Sequence, residues 1–329
     1  MNAPEYKPVF IGDEQLPEKL GKSLLESNFV GIEVATDSTV LHEQLLLAGA
    51  TSRDTETSIL VKALARFSFV TEQNLTFAKP DGSPMKRLEQ DYPGDLYMSP
   101  DMNNFYFWGI NKLGTLMSMA YGIRALHTIE DGKLGLHSSL IYDHETEAGT
   151  LLVGKNRSGK STLGQAVEDS NRRYTLLSDD WNEVNIDNGL ASPISQVFSL
   201  NHPSKRYELA FKSFGKSFYR KPGNNTAQAV PINHIIEIRD EIENEKRYLF
   251  IARSLAHVPL IMQPLDELEA QPGNNVTTAH RHKIAGRIGA ILAGYDELCG
   301  RVPMSVVHND RNTNTIDDAV QRVLEVVED

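Results

Sequence analysis

Nine consecutive residues, Gly154-Lys-Asn-Arg-Ser-Gly-Lys-Ser-Thr162, restrict this chain more than any other stretch. They follow the pattern of a glycine, four residues, then Gly-Lys-Ser, in which the glycines let the backbone bend until successive N–H groups point into one concavity. Such a concavity, backed by the N-terminus of a helix, suits the oxygens of a phosphate chain. The pattern carries this meaning only between a strand and a helix. Thr150-Leu-Leu-Val153 supplies an apolar strand before it, Leu163 to Ser170 reads as a helix after it, and Tyr174-Thr-Leu-Leu177 reads as the next strand. The predicted binding segment therefore comprises Gly154, Lys155, Asn156, Arg157, Ser158, Gly159, Lys160, Ser161 and Thr162. Lys160 is expected to reach the β- and γ-phosphates of ATP as a solvent-facing group rather than a core one, and Ser161 to bind Mg²⁺.

The rest of the chain divides around this motif. Residues 1–130 mix short helix and strand signals and form a predicted N-terminal α+β domain. Within it Asn104-Phe-Tyr-Phe-Trp-Gly-Ile110 has the aromatic density of a buried strand, and Leu113, Leu116, Met117, Ala120 and Ile123 recur at helical spacing. Residues 131–265 form the predicted α/β core. There Leu136 to Tyr142 and Thr150 to Val153 read as a hairpin, and Trp181 to Gly189 ends in the Asn-Gly signal of a second one. Residues 203–231, rich in Lys, Arg, Gly and Pro, read as a loop with little regular structure, and Ile235 to Ile238 as a strand. Residues 266–329 read as a helical C-terminal region packing on the core, with Ile284, Ile288, Ile291, Leu292, Tyr295 and Leu298 on one helix face and Ile316, Val320, Val323, Leu324 and Val327 on another.

Asp179 and Asp180 follow the strand after the motif. In a phosphate-loop fold a carboxylate at the end of the neighbouring strand binds Mg²⁺ or takes the proton of an attacking hydroxyl, and two adjacent carboxylates can divide those duties. Successive residues of an extended chain point to opposite sides, so one of the pair is expected to face the phosphates. Which one is base and which binds metal stays open. His137 lies on the strand expected to precede the motif strand.

Taken together, Leu136-His-Ser-Ser, Thr-Leu-Leu-Val-Gly, Ser-Gly-Lys-Ser-Thr-Leu and Leu-Leu-Ser-Asp-Asp resemble the catalytic core of the HPr serine kinase/phosphorylase family, whose fold is akin to phosphoenolpyruvate carboxykinase. The resemblance spans about residues 134–184. It implies a P-loop kinase core of that type, with Lys160 and Ser161 as the loop lysine and serine, His137 as the strand histidine, and Asp179 and Asp180 as the paired aspartates, one accepting the proton of the target hydroxyl. Thr162 stands where the family commonly has an acidic residue, and neither the glutamate-containing loop nor the Arg-rich C-terminal signature follows Asp180. Kinase chemistry is thus expected, without the reverse phosphorylase activity and without HPr as the assigned substrate.

Charge and cysteine count narrow the partners. A net charge of −11 argues against a general nucleic-acid binder. The single cysteine, Cys299, rules out an internal disulfide, and no apolar run spans a bilayer; a cytoplasmic protein is expected. Against the acidic whole, Lys205, Arg206, Lys212, Lys216, Arg220 and Lys221 face one acid, Glu208, a local charge of +5. Arg206 and Arg220 are the candidates for contacting phosphates or acceptor, on a loop expected to close. The expected activity is ATP- and Mg²⁺-dependent transfer of the γ-phosphoryl group to a hydroxyl of a protein, peptide or small metabolite. The alternative is an ATP-binding regulatory or assembly protein with weak ATPase activity. A homo-oligomer is left open.

Overall fold

A computed structural model describes residues 9–10, 24–52, 65–70, 77–78, 96–98, 104–108, 113–154, 158–195, 197–200, 203–213, 216–222, 229–239, 275–309 and 315–328. The chain divides into two compact units, Met1–Ala120 with Leu260–Lys283, and Tyr121–Pro259 with Ile284–Asp329.

In the first unit the described strands are β1 (Val9–Phe10), β2 (Leu25–Phe29), β3 (Ile32–Thr36), β4 (Thr51–Ser52), β5 (Ala65–Val70), β6 (Phe77–Ala78), β7 (Leu96–Met98) and β8 (Asn104–Trp108), and helix α1 (Thr39–Leu47) lies between β3 and β4. Six of these strands form a mixed sheet in the order β4-β2-β3-β5-β8-β7, and β1 pairs with β6. Ser38 starts α1 as its cap, its hydroxyl accepting from Leu41 N at 3.3 Å. The aromatic run at 104–108 is a strand, as its composition suggested. Helix α2 (Leu113–Thr128) then runs from this unit into the next, with all five periodic residues from Leu113 to Ile123 buried.

The second unit is built on β9 (Lys133–Leu136), β10 (Ser138–Asp143), β11 (Ala148–Val153), β12 (Tyr174–Ser178), β13 (Asn182–Asn185), β14 (Leu190–Pro193), β15 (Phe198–Ser199), β16 (Glu208–Ser213), β17 (Lys216–Arg220), β18 (Val230–Arg239) and β19 (Met304–His308). Besides the end of α2, its described α-helices are α3 (Lys160–Ser170), α4 (Asn275–Arg301), which begins in the first unit, and α5 (Ile316–Glu328). An eight-stranded mixed sheet runs β12-β10-β11-β18-β14-β13-β9, with β19 parallel to β18. The ten-residue β18 pairs parallel with β11 along most of its length and antiparallel with β14 at its start, so it belongs to both halves of the sheet.

The path also meets itself at its ends. Strands β9 and β10 are separated by His137 alone, and β12 and β13 by Asp179 to Trp181. Leu136 pairs with Asn182 on one side of this break and Leu140 with Ser178 on the other, which is one and the same antiparallel register. Continued across the break, it sets Ser139 opposite Asp179 and His137 opposite Trp181. The two aspartates thus interrupt a single long ribbon where it passes from one half of the sheet to the other. Helices α3 and α5 close the core with Leu163, Val167, Val320 and Val323 against Ile236, Ile238 and Val307.

Four expectations change. His137 sits in the gap between two strands rather than on one. The described part of the stretch 203–231 is not irregular: β16 and β17 form a hairpin that β15 extends to three strands, with Phe211 and Phe218 stacked at 4.7 Å. Its alternation was hidden by the bulge between Leu209 and Phe211. The C-terminal region is not wholly helical, since Met304-Ser-Val-Val-His308 adds β19 to the sheet. Pro303 stops α4, and five residues are too few for periodicity to separate strand from helix. Finally, Leu292 and Ile316 are 40% and 42% exposed, off the buried faces of their helices.

Candidate active site

The predicted loop leaves β11 at Gly154 and enters α3 at Lys160; Lys155, Asn156 and Arg157 lie outside the described residues. Gly154 has φ +150°, and a Cβ there would stand 2.5 Å from the carbonyl oxygen of Ile238 and 2.9 Å from Ser158 Oγ. Only a glycine lets the chain leave β11 while passing this close to β18. Gly159, at φ +98°, is the cap of α3 and offers no side-chain hydrogen bond to it, so no side chain at that position competes with a ligand for the first N–H groups.

Lys160 departs from expectation. It is 5% exposed, and its ammonium donates to Gly154 O at 3.0 Å, closing the loop upon itself. Ser158 is fully buried, whereas Thr162 is exposed and lines a groove between α3 and α5 with Asp169 and Asp317.

The aspartates sit in contrasting surroundings. Asp179 is wholly buried, accepting from Ser139 Oγ at 2.7 Å and from Ser199 N at 3.0 Å. Burial pushes its pKa up, and the charge of Asp180 adds to the rise. Hydrogen bonds from Ser139, from Ser161 and from the Ser199 amide oppose it. The contact between Ser161, at the start of α3, and Asp179, past the end of β12, joins the two motifs. Asp180 has φ +77° and Trp181 N donates back to Asp179 O at 3.1 Å, which makes a tight three-residue turn with Asp180 at its centre. A left-handed backbone at a residue other than glycine costs roughly 1–3 kcal/mol and persists only where neighbours over-determine it. The side chain is partly exposed, 3.4 Å from His137 Nε2.

Trp181 provides the over-determination. Its ring is buried, stacked on Tyr121 at 5.4 Å with 6° between planes, and packed on Gly135 so closely that a Cβ would meet Cζ2 at 2.5 Å. Its carbonyl accepts from both Ile194 N and Ser195 N at 3.2 Å. Beside it, Ser178 Oγ bonds Asn182 Oδ1, and Asn182 Nδ2 donates to Ser138 O at 2.8 Å. Sequence reading missed Ser139, Ser199 and Trp181. The serines after His137 were in view as part of a pattern, but nothing local ties Ser199 to Asp179, twenty residues earlier.

The basic hairpin is tied down at its base. Glu168 of α3 is buried and accepts from Leu176 N at 3.1 Å, from Tyr207 OH at 2.7 Å and from Lys221 Nζ. One carboxylate therefore links the helix after the loop, the strand leading to Asp179, and both ends of the hairpin. Arg220 faces Glu208 across the ladder at 3.6 Å, both 57% exposed, and Arg206 is exposed. No described contact brings either arginine to the aspartates.

Among the described residues no group of three or more His, Cys, Asp or Glu side chains is arranged to hold a metal. No described helix is long and apolar enough to cross a membrane. No protein-family model matches the sequence, and no curated protein matches it. Among solved structures, the chain is similar to the HPr(Ser) kinase/phosphatase from Coxiella burnetii, with 19% identity and a TM-score of 0.22 over 34% of this chain. The match spans 64% of that protein's length, and a likeness of that size fixes neither fold nor activity.

Proposed function

We propose that this chain is an ATP- and Mg²⁺-dependent phosphotransferase that binds the nucleotide phosphates on residues 154–162 and passes the γ-phosphoryl group to a hydroxyl. The observation that carries this reading is the contact of Ser161 with Asp179. A hydroxyl at the start of the helix and a buried carboxylate past the end of β12, the strand on the far side of β10 from the loop strand β11, are the two protein ligands proposed for a magnesium site beside the phosphate loop. Magnesium keeps most of its shell as water and phosphate oxygen, so one or two carboxylates suffice. When bound, the ion would neutralise charge on the β- and γ-oxygens.

The chain's own residues do the rest. Backbone N–H groups from Gly154 to Ser161 hold the phosphates, and Lys160 exchanges its bond to Gly154 O for a phosphate oxygen. Asp180, outside the buried carboxylate and beside His137, takes the proton of the acceptor hydroxyl, while Asp179 faces the metal. His137 contacts the acceptor or the phosphate. This division matches the two environments: the buried group is poised for a cation and the partly exposed one for exchange with an incoming alcohol. Phosphoryl transfer asks for little covalent chemistry, so positioning and charge neutralisation carry the rate. Arg206 and Arg220 remain proposed acceptor or phosphate contacts.

The test incubates the protein with γ-labelled ATP and Mg²⁺, with a cell extract and separately with a metabolite pool. Label transferred to a serine of a protein or peptide, or to a small alcohol, supports the reading and identifies the acceptor. Phosphate release without any labelled acceptor favours the regulatory ATPase instead.

A further inference from the structure

The phosphate loop springs from β11, passes over the end of β18 and comes down against the end of β19. At that last point stands Asn309, the residue after β19, 6% exposed. Its backbone N–H donates to Arg239 O at 2.7 Å, which continues the β18–β19 ladder, and its side-chain Nδ2 donates to Ser158 O at 3.0 Å. Asn309 is thus gripped by the sheet and grips the loop.

The consequence follows from the planarity of the peptide. In a trans peptide the carbonyl of one residue and the N–H of the next point in opposite directions. A Ser158 carbonyl directed at Asn309 therefore directs the Gly159 N–H the other way, and that N–H is one of the donors an anion-binding loop needs. The Ser158 hydroxyl is buried and has no hydrogen-bond partner among the described residues, so it does not set this orientation. Gly159, at φ +98°, imposes little preference of its own. Among the described residues, the group that holds this carbonyl is the amide 151 residues further along the chain.

We propose that Asn309 is a positioning residue of the phosphate loop, holding the Ser158 carbonyl outward so that the Gly159 N–H faces the bound phosphates. This rests on the nucleotide-binding reading above. It gives the C-terminal segment a part in that site: residues 304–309 complete the loop as well as the sheet.

The experiment compares wild type, Asn309→Ala, Asn309→Asp and a control, Asn233→Ala, whose amide oxygen accepts from Thr150 Oγ1 at 3.2 Å away from the loop. Three quantities are read on the full chain: ATP-Mg²⁺ affinity with KM and kcat, melting temperature, and amide hydrogen exchange across residues 158–163 without nucleotide. Loss of one hydrogen bond in Asn309→Ala is expected to weaken ATP roughly tenfold, seen in KM more than in kcat, and to accelerate exchange in the loop. Asn309→Asp, which sets a carboxylate against the carbonyl, is expected to lose more. The control should keep wild-type values on all three. Wild-type affinity and exchange in Asn309→Ala would overturn the proposal, as would equal losses in Asn233→Ala. If wild type binds no ATP while Asn309→Ala still speeds loop exchange, the nucleotide reading falls and the grip on the loop stands.

Discussion

Residues 154–162 and residues 205–221 each gather positive charge and glycine into a short stretch; the first was expected to present a solvent-facing lysine and the second to be a loop that closes. Folding treats them differently. In the first, backbone geometry dominates: Gly154 and Gly159 hold positive φ, and Lys160 turns inward to bond a carbonyl of its own loop. In the second, the charges are sorted by a regular hairpin: Lys221 is drawn into a buried network with Glu168 and Tyr207, Arg220 is matched with Glu208, and Lys205, Arg206 and Lys212 are left exposed. A motif made of backbone is legible because its parts are neighbours in sequence. A charge cluster is not, because its meaning depends on which distant acid reaches it.

The largest effect expected is at the loop. Lys160→Ala should lower nucleotide-dependent turnover by about 10²–10³-fold, the usual loss when a group aimed at developing charge is removed. The melting temperature should stay close to wild type, because the bond from Lys160 to Gly154 O closes the loop upon itself and does not join it to the core. A parallel collapse of melting temperature would instead class Lys160 with Lys221, as a structural cation.

Next come the aspartates. Asp179→Asn should lose metal-dependent turnover, and Asp180→Asn should lose turnover while retaining nucleotide binding, each by about 10²-fold or more. Asp179 also yields a stability test, made with chelator present. Its folded-state pKa is raised from 3.8, so the native state holds its proton more tightly than the unfolded chain. That contribution is present below the ordinary carboxylate range and is lost as pH rises through the raised value. Asp179→Asn should therefore melt higher than wild type at neutral pH, with the gap closing at low pH. A gap that widens on acidification would contradict the assignment of a buried, cation-seeking carboxylate.

Glu168→Ala addresses the hairpin. It would remove the carboxylate partner of Lys221, leaving its ammonium the carbonyl of Leu176, and unpair the Tyr207 hydroxyl and Leu176 N; breaking a buried charge pair from one side costs about 3–5 kcal/mol. Denaturant unfolding should show a loss of that order; a loss under about 1 kcal/mol would mean the hairpin is not anchored there.

The smallest stability effects are expected at the exposed arginines. Arg220→Ala should change stability by less than about 1 kcal/mol, as for other solvent-exposed pairs. Arg206→Ala and Arg220→Ala should lower transfer activity more than Lys283→Ala if the hairpin meets phosphates or acceptor. Equal small losses in all three, with proteolysis within 205–221 unaffected by ATP-Mg²⁺, would reduce the hairpin to a solvated surface.

What the sequence determined by itself was local. The order strand, loop, helix, strand around 154–162 follows from glycine spacing and apolar runs, and the Asn-Gly hairpin and the five buried positions of α2 follow from turn chemistry and period. Tertiary structure decided whatever joins distant residues. It set the single ribbon that brings His137 to Asp180, the amide of Ser199 on the buried Asp179, the brace of Trp181 on Tyr121, and the reach of Asn309 back to Ser158. Such contacts leave no periodic trace, because each depends on strand register and on which side chains share a buried space, and a one-residue slip in either would dissolve them.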